Sequence, residues 1–136
     1  VIGVLVGNQA QKWKKILEAL PVDVRPWISL VGIGQVKPLP SELREWIETS
    51  PSPCYVVVED GVKIGGFGST LAAEFHSLGA LFESLGVGDH FVPHGTVQEQ
   101  EADEGFSISQ IASALQRHVE YQKEVLVHLA SSYRTS

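Results

Sequence analysis

A three-layer α/β/α sandwich is the fold this sequence predicts, and three observations predict it. Two short runs, Val1 to Val6 and Tyr55 to Val58, are apolar at nearly every position, as strands covered on both faces are. Other segments carry apolar residues at helical spacing, for example Trp13, Ile16, Leu17 and Leu20 at i, i+3, i+4 and i+7. Glycine and proline separate the two kinds of segment, so that they read β-α-β-α-β-α-β-α along the chain. That alternation calls for right-handed crossovers and a largely parallel sheet of about four strands with helices on both faces.

Each element has its own signal. Gly7-Asn8 ends the first run, Asn8 is a candidate N-cap, and Gln11 stands three residues on, as in a capping box. Pro21 ends the first helix. A second strand is expected over Arg25 to Val31, from Trp27, Ile28, Leu30 and Val31. The prolines of Val36-Lys37-Pro38-Leu39-Pro40 bar a helix until Ser41, after which Leu43, Trp46 and Ile47 share a side. Ser50-Pro51-Ser52-Pro53 stops that helix. Tyr55 to Val58 is the third strand, and a glycine loop follows it. From Ser69 the positions Leu71, Ala72, Phe75 and Leu78 are helical in spacing, with Gly79 as a C-terminal stop. Leu81 to Leu85 reads as the fourth strand, Gly86 to Gly95 as loop, and Gln98 to Gly105 as a polar, acidic connection. Ser107 and Gln110 form another capping-box pair, opening a helix lined by Ile108, Ile111, Ala112, Leu115 and Val119. Val125, Leu126 and Leu129 continue a helix-compatible pattern, and Ser131 to Ser136 is expected to fray.

At 136 residues the chain has the length of one domain and can bury roughly two thirds of its unfolded surface without disulfides or metals. Hydrophobic residues at 43% and charged ones at 19% describe a globular chain, not a disordered one. The net charge of −6 argues against nucleic-acid or anionic-membrane partners, which need clustered Lys and Arg. No apolar run approaches the ~20 residues that span a bilayer. The single Cys54 has no internal disulfide partner, which fits a reducing compartment, and a cytoplasmic protein is expected. Met is absent and the chain opens in a strand-like run, as expected of a piece of a longer polypeptide.

The stretch with most chemical interest is Glu59-Asp60 and the loop Gly65-Gly66-Phe67-Gly68-Ser69 at a helix start. Exposed N–H groups and the positive end of a helix dipole could hold a small anion there. The spacing is neither a dinucleotide fingerprint nor a P-loop. The structural alternative is that Gly65, Gly66 and Gly68 let the helix start pack close to the sheet. Glu59 and Asp60, adjacent on an extended chain, point apart and do not suit a catalytic pair. His90 and His94, with Asp89, have a chelating interval, but Pro93 and the nearby glycines make the segment a loop. His76, His118 and His128 fall on helices with no evident third ligand. Cys54 between Pro53 and Tyr55 reads as a small buried residue. No catalytic, cofactor-binding or metal-ligating residue is assigned, and the chain alone is expected to be inactive.

The order of these motifs resembles the C-terminal domain of the transketolase family. The segments are Gly7-Asn8 after a strand, Val36-Lys37-Pro38-Leu39 before a helix, Val57-Val58-Glu59-Asp60, Gly65-Gly66-Phe67-Gly68-Ser69, and Leu85 to Gly95. The pattern is most similar to that of 1-deoxy-D-xylulose-5-phosphate synthases and covers residues 1–116, leaving 117–136 as a C-terminal helical extension. The resemblance implies a mostly parallel five-stranded sheet with one antiparallel edge strand. It also implies that thiamine diphosphate and Mg²⁺ are held by two other domains, the pyrimidine- and diphosphate-binding domains. This domain would then support a homodimer and the packing of its neighbours. Two alternatives stay open. One is a regulatory module binding a small anion at Gly66, Gly68 and Ser69. The other is a partner-docking domain like that of the 2-oxo acid dehydrogenase β subunit, which exposed apolar positions between Gln116 and Leu129 would favour. The family runs directly into a helix after the position of Gly95, whereas Thr96 to Gly105 here is expected to be acidic and irregular.

Overall fold

Period-two alternation divides the strands between two cores in the computed structural model, which describes residues 1–34, 38–49, 54–88 and 94–134. Strand β1 (Ile2–Val6) is parallel to β2 (Ser29–Ile33) on one side and to β3 (Cys54–Val62) on the other, and β4 (Leu81–Val87) lies parallel beyond β3. The order is β2-β1-β3-β4. Leu5, Cys54, Val56 and Val58 face one core, with Ile16 of α1 (Trp13–Ala19) and Ile111, Leu115 and Val119 of α5 (Ile108–Arg134). Ile2, Val4, Tyr55 and Val57 face the other. They meet Leu43 and Ile47 of α2 (Ser41–Thr49) and Leu71 of α3 (Phe67–Glu74) there. Helices on both faces of a parallel sheet make the three layers that the sequence predicts.

The sheet has four strands among the described residues, as the residue pattern alone predicts. The antiparallel edge strand implied by the resemblance is not among them. Several boundaries differ for local reasons. Asn8 does not cap a helix: after Gly7, at φ +60°, the chain makes a 3-10 turn over Gly7–Lys12, and α1 begins only at Trp13. A 3-10 turn at Arg25–Trp27 holds Pro26 and delays β2 to Ser29. Trp13 is 46% exposed, so the first helix buries Ile16 and leaves its tryptophan at the surface. Helix α3 opens at Phe67, two residues before Ser69, and ends at Glu74. A 3-10 turn to Leu78 and left-handed Gly79 follow, which leaves Leu78 exposed. Strand β4 runs on through Gly86 and Val87. Val36, Lys37, Ser50 to Pro53, and Asp89 to Pro93 lie outside the described residues.

The largest departure is at 97–103. The expected irregular connection is helix α4 (Val97–Asp103). Thr96 Oγ1 accepts from Glu99 N–H at 3.1 Å, and Glu99 Oε2 accepts from Thr96 N–H at 2.9 Å, a complete capping box. The second box is as expected, with Gln110 N–H donating to Ser107 Oγ at 3.3 Å and Ser107 N–H to Gln110 Oε1 at 2.9 Å. Helix α5 is continuous for 27 residues, about 40 Å at 1.5 Å per residue, and does not fray at Ser131 but continues through Arg134. His118 and Arg117 tie it to the sheet edge through Glu83 of β4, at 2.5 and 3.3 Å.

Leu115, fully buried in the α1–α5 core and touching the space over Gly3, sets the weight of that core. Leu115→Ala is expected to cost about 2–5 kcal/mol, by lost transfer energy and a cavity that rigid strands cannot close. A denaturant titration with unchanged m-value checks this.

Candidate functional site

An open parallel sheet offers ligands a crevice at the carboxyl ends of its strands, where the strand order reverses. Here the reversal lies between β1 and β3. Strand β3 reaches that edge through an irregularity: its register with β4 slips between Val58 and Val62, so that Glu59, Asp60 and Gly61 bulge from the ladder. The bulge sends its two acids in different directions.

Glu59 is 5% exposed and turns to the start of α3. Its Oε2 accepts from Phe67 N–H at 2.8 Å, and Gly68 N–H also faces the carboxylate. Burial pushes its pKa up, and the two N–H groups pull against that shift. The other oxygen, Oε1, is buried without a partner. Two further polar groups of the glycine loop are used internally. Gly66 N–H and the Ser69 hydroxyl both donate to Lys63 C=O, at 3.1 and 2.6 Å. Gly65 makes the turn at φ +74°, a left-handed value that glycine adopts without strain. Gly68 is buried against Val57 and Ser84, with no room for a side chain. The loop therefore seats a helix on the sheet, and the place an anion would take at the helix start holds the Glu59 carboxylate.

Asp60 is exposed and points to the crevice, where its Oδ1 accepts from Gln9 Nε2. Gln9, 1% exposed just after β1, also approaches Glu101 of α4 at 3.4 Å, and Lys12 binds Glu101 at 2.6 Å. Lys12 lies over the Phe106 ring, 5.8 Å from its centroid. Helix α4 is thus pinned over the switch point, leaving a cavity of about 300 Å³ between Asp60, Val87, Glu101, Glu104 and Phe106. Sequence reasoning missed Gln9, Lys12 and Glu101. The Thr96-x-x-Glu99 spacing was a signal for α4, but nothing local marks Gln9 as buried.

The other candidates stay apart. His76, His94 and His128 are exposed, His118 pairs with Glu83, and His90 and Asp89 lie outside the described residues. No cluster of three His, Cys, Asp or Glu suited to a metal exists among the described residues. Cys54 is fully buried and burial pushes its thiol pKa up, which keeps it protonated and unreactive. A diphosphate group does not fit at the start of α3, where it would meet the Glu59 carboxylate, and the described residues bring no cluster of three ligating side chains together there to hold its metal. No described helix is long and apolar enough to cross a membrane.

The architecture and strand order define a transketolase C-terminal-like domain. A solved structure described as a split gene transketolase, inactive beta4 tetramer, has the same fold: TM-score 0.60, 21% identity, covering 88% of this chain and 39% of that one. In sequence, the chain is similar to 1-deoxy-D-xylulose-5-phosphate synthases. The enzyme of that name from Azobacteroides pseudotrichonymphae is 33% identical over 113 residues, 81% of this chain and 17% of its own length. The one from Carboxydothermus hydrogenoformans is 39% identical over 104 residues, 71% of this chain and 16% of its own. The chain therefore spans about a sixth of the length of these relatives. No protein-family model matches it.

Proposed function

We propose that this chain is the non-catalytic C-terminal domain, or a separate subunit, of a thiamine-diphosphate-dependent transketolase-like enzyme of the cytoplasm. The whole enzyme transfers a two-carbon ketol or acyl unit, with thiamine diphosphate and Mg²⁺ held by its pyrimidine- and diphosphate-binding domains. This domain packs those neighbours and supports a homodimer. One observation carries the reading: the chain itself takes the helix start that would hold an anion and narrows the switch-point crevice. Glu59 fills the start of α3, and α4 is pinned over the switch point, where a cavity of about 300 Å³ remains. The same observation counts against the regulatory anion module, since a phosphate would meet a buried carboxylate.

Docking is favoured by what remains uncovered. The outer edge of β2 pairs with no strand among the described residues. Apolar grooves flank it on both faces, one along Trp13, Leu17 and Leu30, the other along Val31, Leu43 and Trp46. An extended segment added there would place alternate side chains in the two grooves. The partner-docking reading gains a second support from Tyr121, Val125, Leu126 and Leu129, all exposed on α5.

The test is an assay of ketol transfer and 2-oxo acid decarboxylation with thiamine diphosphate and Mg²⁺. The 136-residue chain alone is expected to give no turnover. It is expected to bind, by calorimetry, the paired pyrimidine- and diphosphate-binding domains of a 1-deoxy-D-xylulose-5-phosphate synthase. Turnover by the isolated chain, or no binding to those domains, overturns the reading.

A further inference from the structure

Helix α5 leaves its own domain halfway along. Its last buried residue is Val119, and no residue described after it is buried. The apolar face does not end there. At 100° per residue, Tyr121, Gln122, Val125, Leu126 and Leu129 fall within an arc of about 140°, on the side that carries Ile111 and Leu115. The buried seam of the first half thus runs on into the second half, where this domain meets it at Gln122, whose Oε1 accepts from the Val1 amino group at 3.4 Å, and Val125, Leu126 and Leu129 beyond are exposed. Tyr121, Leu126 and Leu129 are each about half exposed.

Charge is distributed to match. In a chain of net charge −6, the segment Val125 to Ala130 holds no Asp, Glu, Lys or Arg. The charged residues of the stretch, Glu120, Lys123 and Glu124, all fall outside the arc. Lys123 is turned aside over the Trp27 ring, 5.1 Å from its centroid. A surface covering the stripe from Val125 to Leu129 strands no charged side chain, and its partner must be equally free of charge there. A second copy of α5 meets that requirement, and the acidic remainder of each copy stays outside the contact. The spacing Leu115, Val119, Gln122, Leu126, Leu129 alternates four and three, the interval of a seam that receives another helix.

We propose that the distal half of α5 pairs with the same stretch of a second copy in antiparallel orientation. Geometry selects the orientation. The domain body lies on the stripe side of the helix, over its first half. In a parallel pair the two bodies would occupy the same space between the helices. In an antiparallel pair each body sits beyond the end of the other helix, and the contact is two-fold and self-complementary. The exposed side-chain area is roughly 300–400 Å² per copy, given that a whole aromatic side chain carries about 150–250 Å². Doubled, it stays below the roughly 1,200 Å² of a standard stable interface, so the pair is weak and concentration-dependent. The proposal names a surface for the homodimer included in the reading above.

Sedimentation equilibrium of the 136-residue chain tests it. The mass is expected to rise from 14.8 kDa towards twice that between micromolar and several hundred micromolar protein. Leu126→Glu with Leu129→Glu is expected to weaken association at least about tenfold with helicity unchanged by circular dichroism. Val127→Glu, outside the arc, is expected to leave the curve as it was. In a Cys54→Ser background, Val125→Cys near the two-fold is expected to cross-link to itself and Ser132→Cys is not. A chain that stays monomeric throughout, or association untouched by the double substitution, overturns the pairing. Cross-linking at both positions overturns the antiparallel arrangement. Binding to the pyrimidine- and diphosphate-binding domains by a monomeric chain would leave the proposed function standing while this inference falls.

Discussion

Gly68→Val is expected to unfold the domain or to cost at least about 3 kcal/mol, and Gly68→Ala about 1–3 kcal/mol. Gly68 lies in the first turn of α3, where intrinsic propensity alone would make alanine better than glycine by about 1 kcal/mol. Packing opposes this. A Cβ at Gly68 would come within 2.1 Å of Ser84 Oγ, 3.0 Å of Ser84 Cβ and 3.4 Å of Val57 Cβ. The hydroxyl can rotate away, but the two Cβ atoms belong to the adjacent strands β3 and β4, held by their ladder, so the helix start has to lift. Lifting it also lengthens the bond from Phe67 N–H to Glu59. Ser84→Gly is therefore expected to recover most of the loss caused by Gly68→Ala, because it removes both nearest atoms. Equilibrium unfolding of the two single variants and the double variant measures the coupling. A Gly68→Ala protein more stable than the parent would mean that helix propensity governs the position and the close seat does not exist.

Much of this arrangement was legible in residue types. Val1 to Val6 and Tyr55 to Val58 lack alternation because helices cover both faces of those strands. Leu71 with Phe75, and Ile111 with Leu115, declare helix faces by spacing. Trp13 and Trp46 were legible as helix residues but not as surface ones, because spacing does not reveal how far a helix overhangs the sheet edge. The crevice was not legible at all. Gln9 follows a glycine in a polar stretch, Lys12 belongs to a basic run, and Glu101 lies some ninety residues on. Their meeting depends on the path of α4, fixed by the Thr96–Glu99 box and by Phe106 inserting beneath Lys12. The roles of Glu59 and Asp60 divide for a similar reason. Adjacency shows that they diverge, but only the bulge at Val58 to Val62 decides which one the fold buries.

Glu59 carries the second large effect, and its sign depends on the substitution. Glu59→Ala leaves the Phe67 N–H buried without an acceptor and opens a void beside α3, so a loss of about 2–4 kcal/mol is expected. Glu59→Gln keeps an acceptor for Phe67 and gives the partnerless second oxygen's position an uncharged group. Its effect is linked to pH. Burial raises the folded-state pKa of Glu59 above its unfolded value, so the folded state binds the proton more tightly. The resulting stability is fully present below the unfolded pKa and is lost as pH rises through the folded one. The parent chain is therefore expected to lose stability across the interval from the ordinary carboxylate range upward, by this group's contribution. Glu59→Gln is expected to remove that slope and to equal or exceed the parent at neutral pH. Unfolding free energies measured from acid to neutral pH, as the difference between parent and Glu59→Gln, isolate the contribution from the other acids. If the parent instead gains stability over the variant as pH rises, the charged form is the one the site favours. The Phe67 and Gly68 N–H groups and the helix dipole would then outweigh burial, and Glu59 would act as an ionised cap.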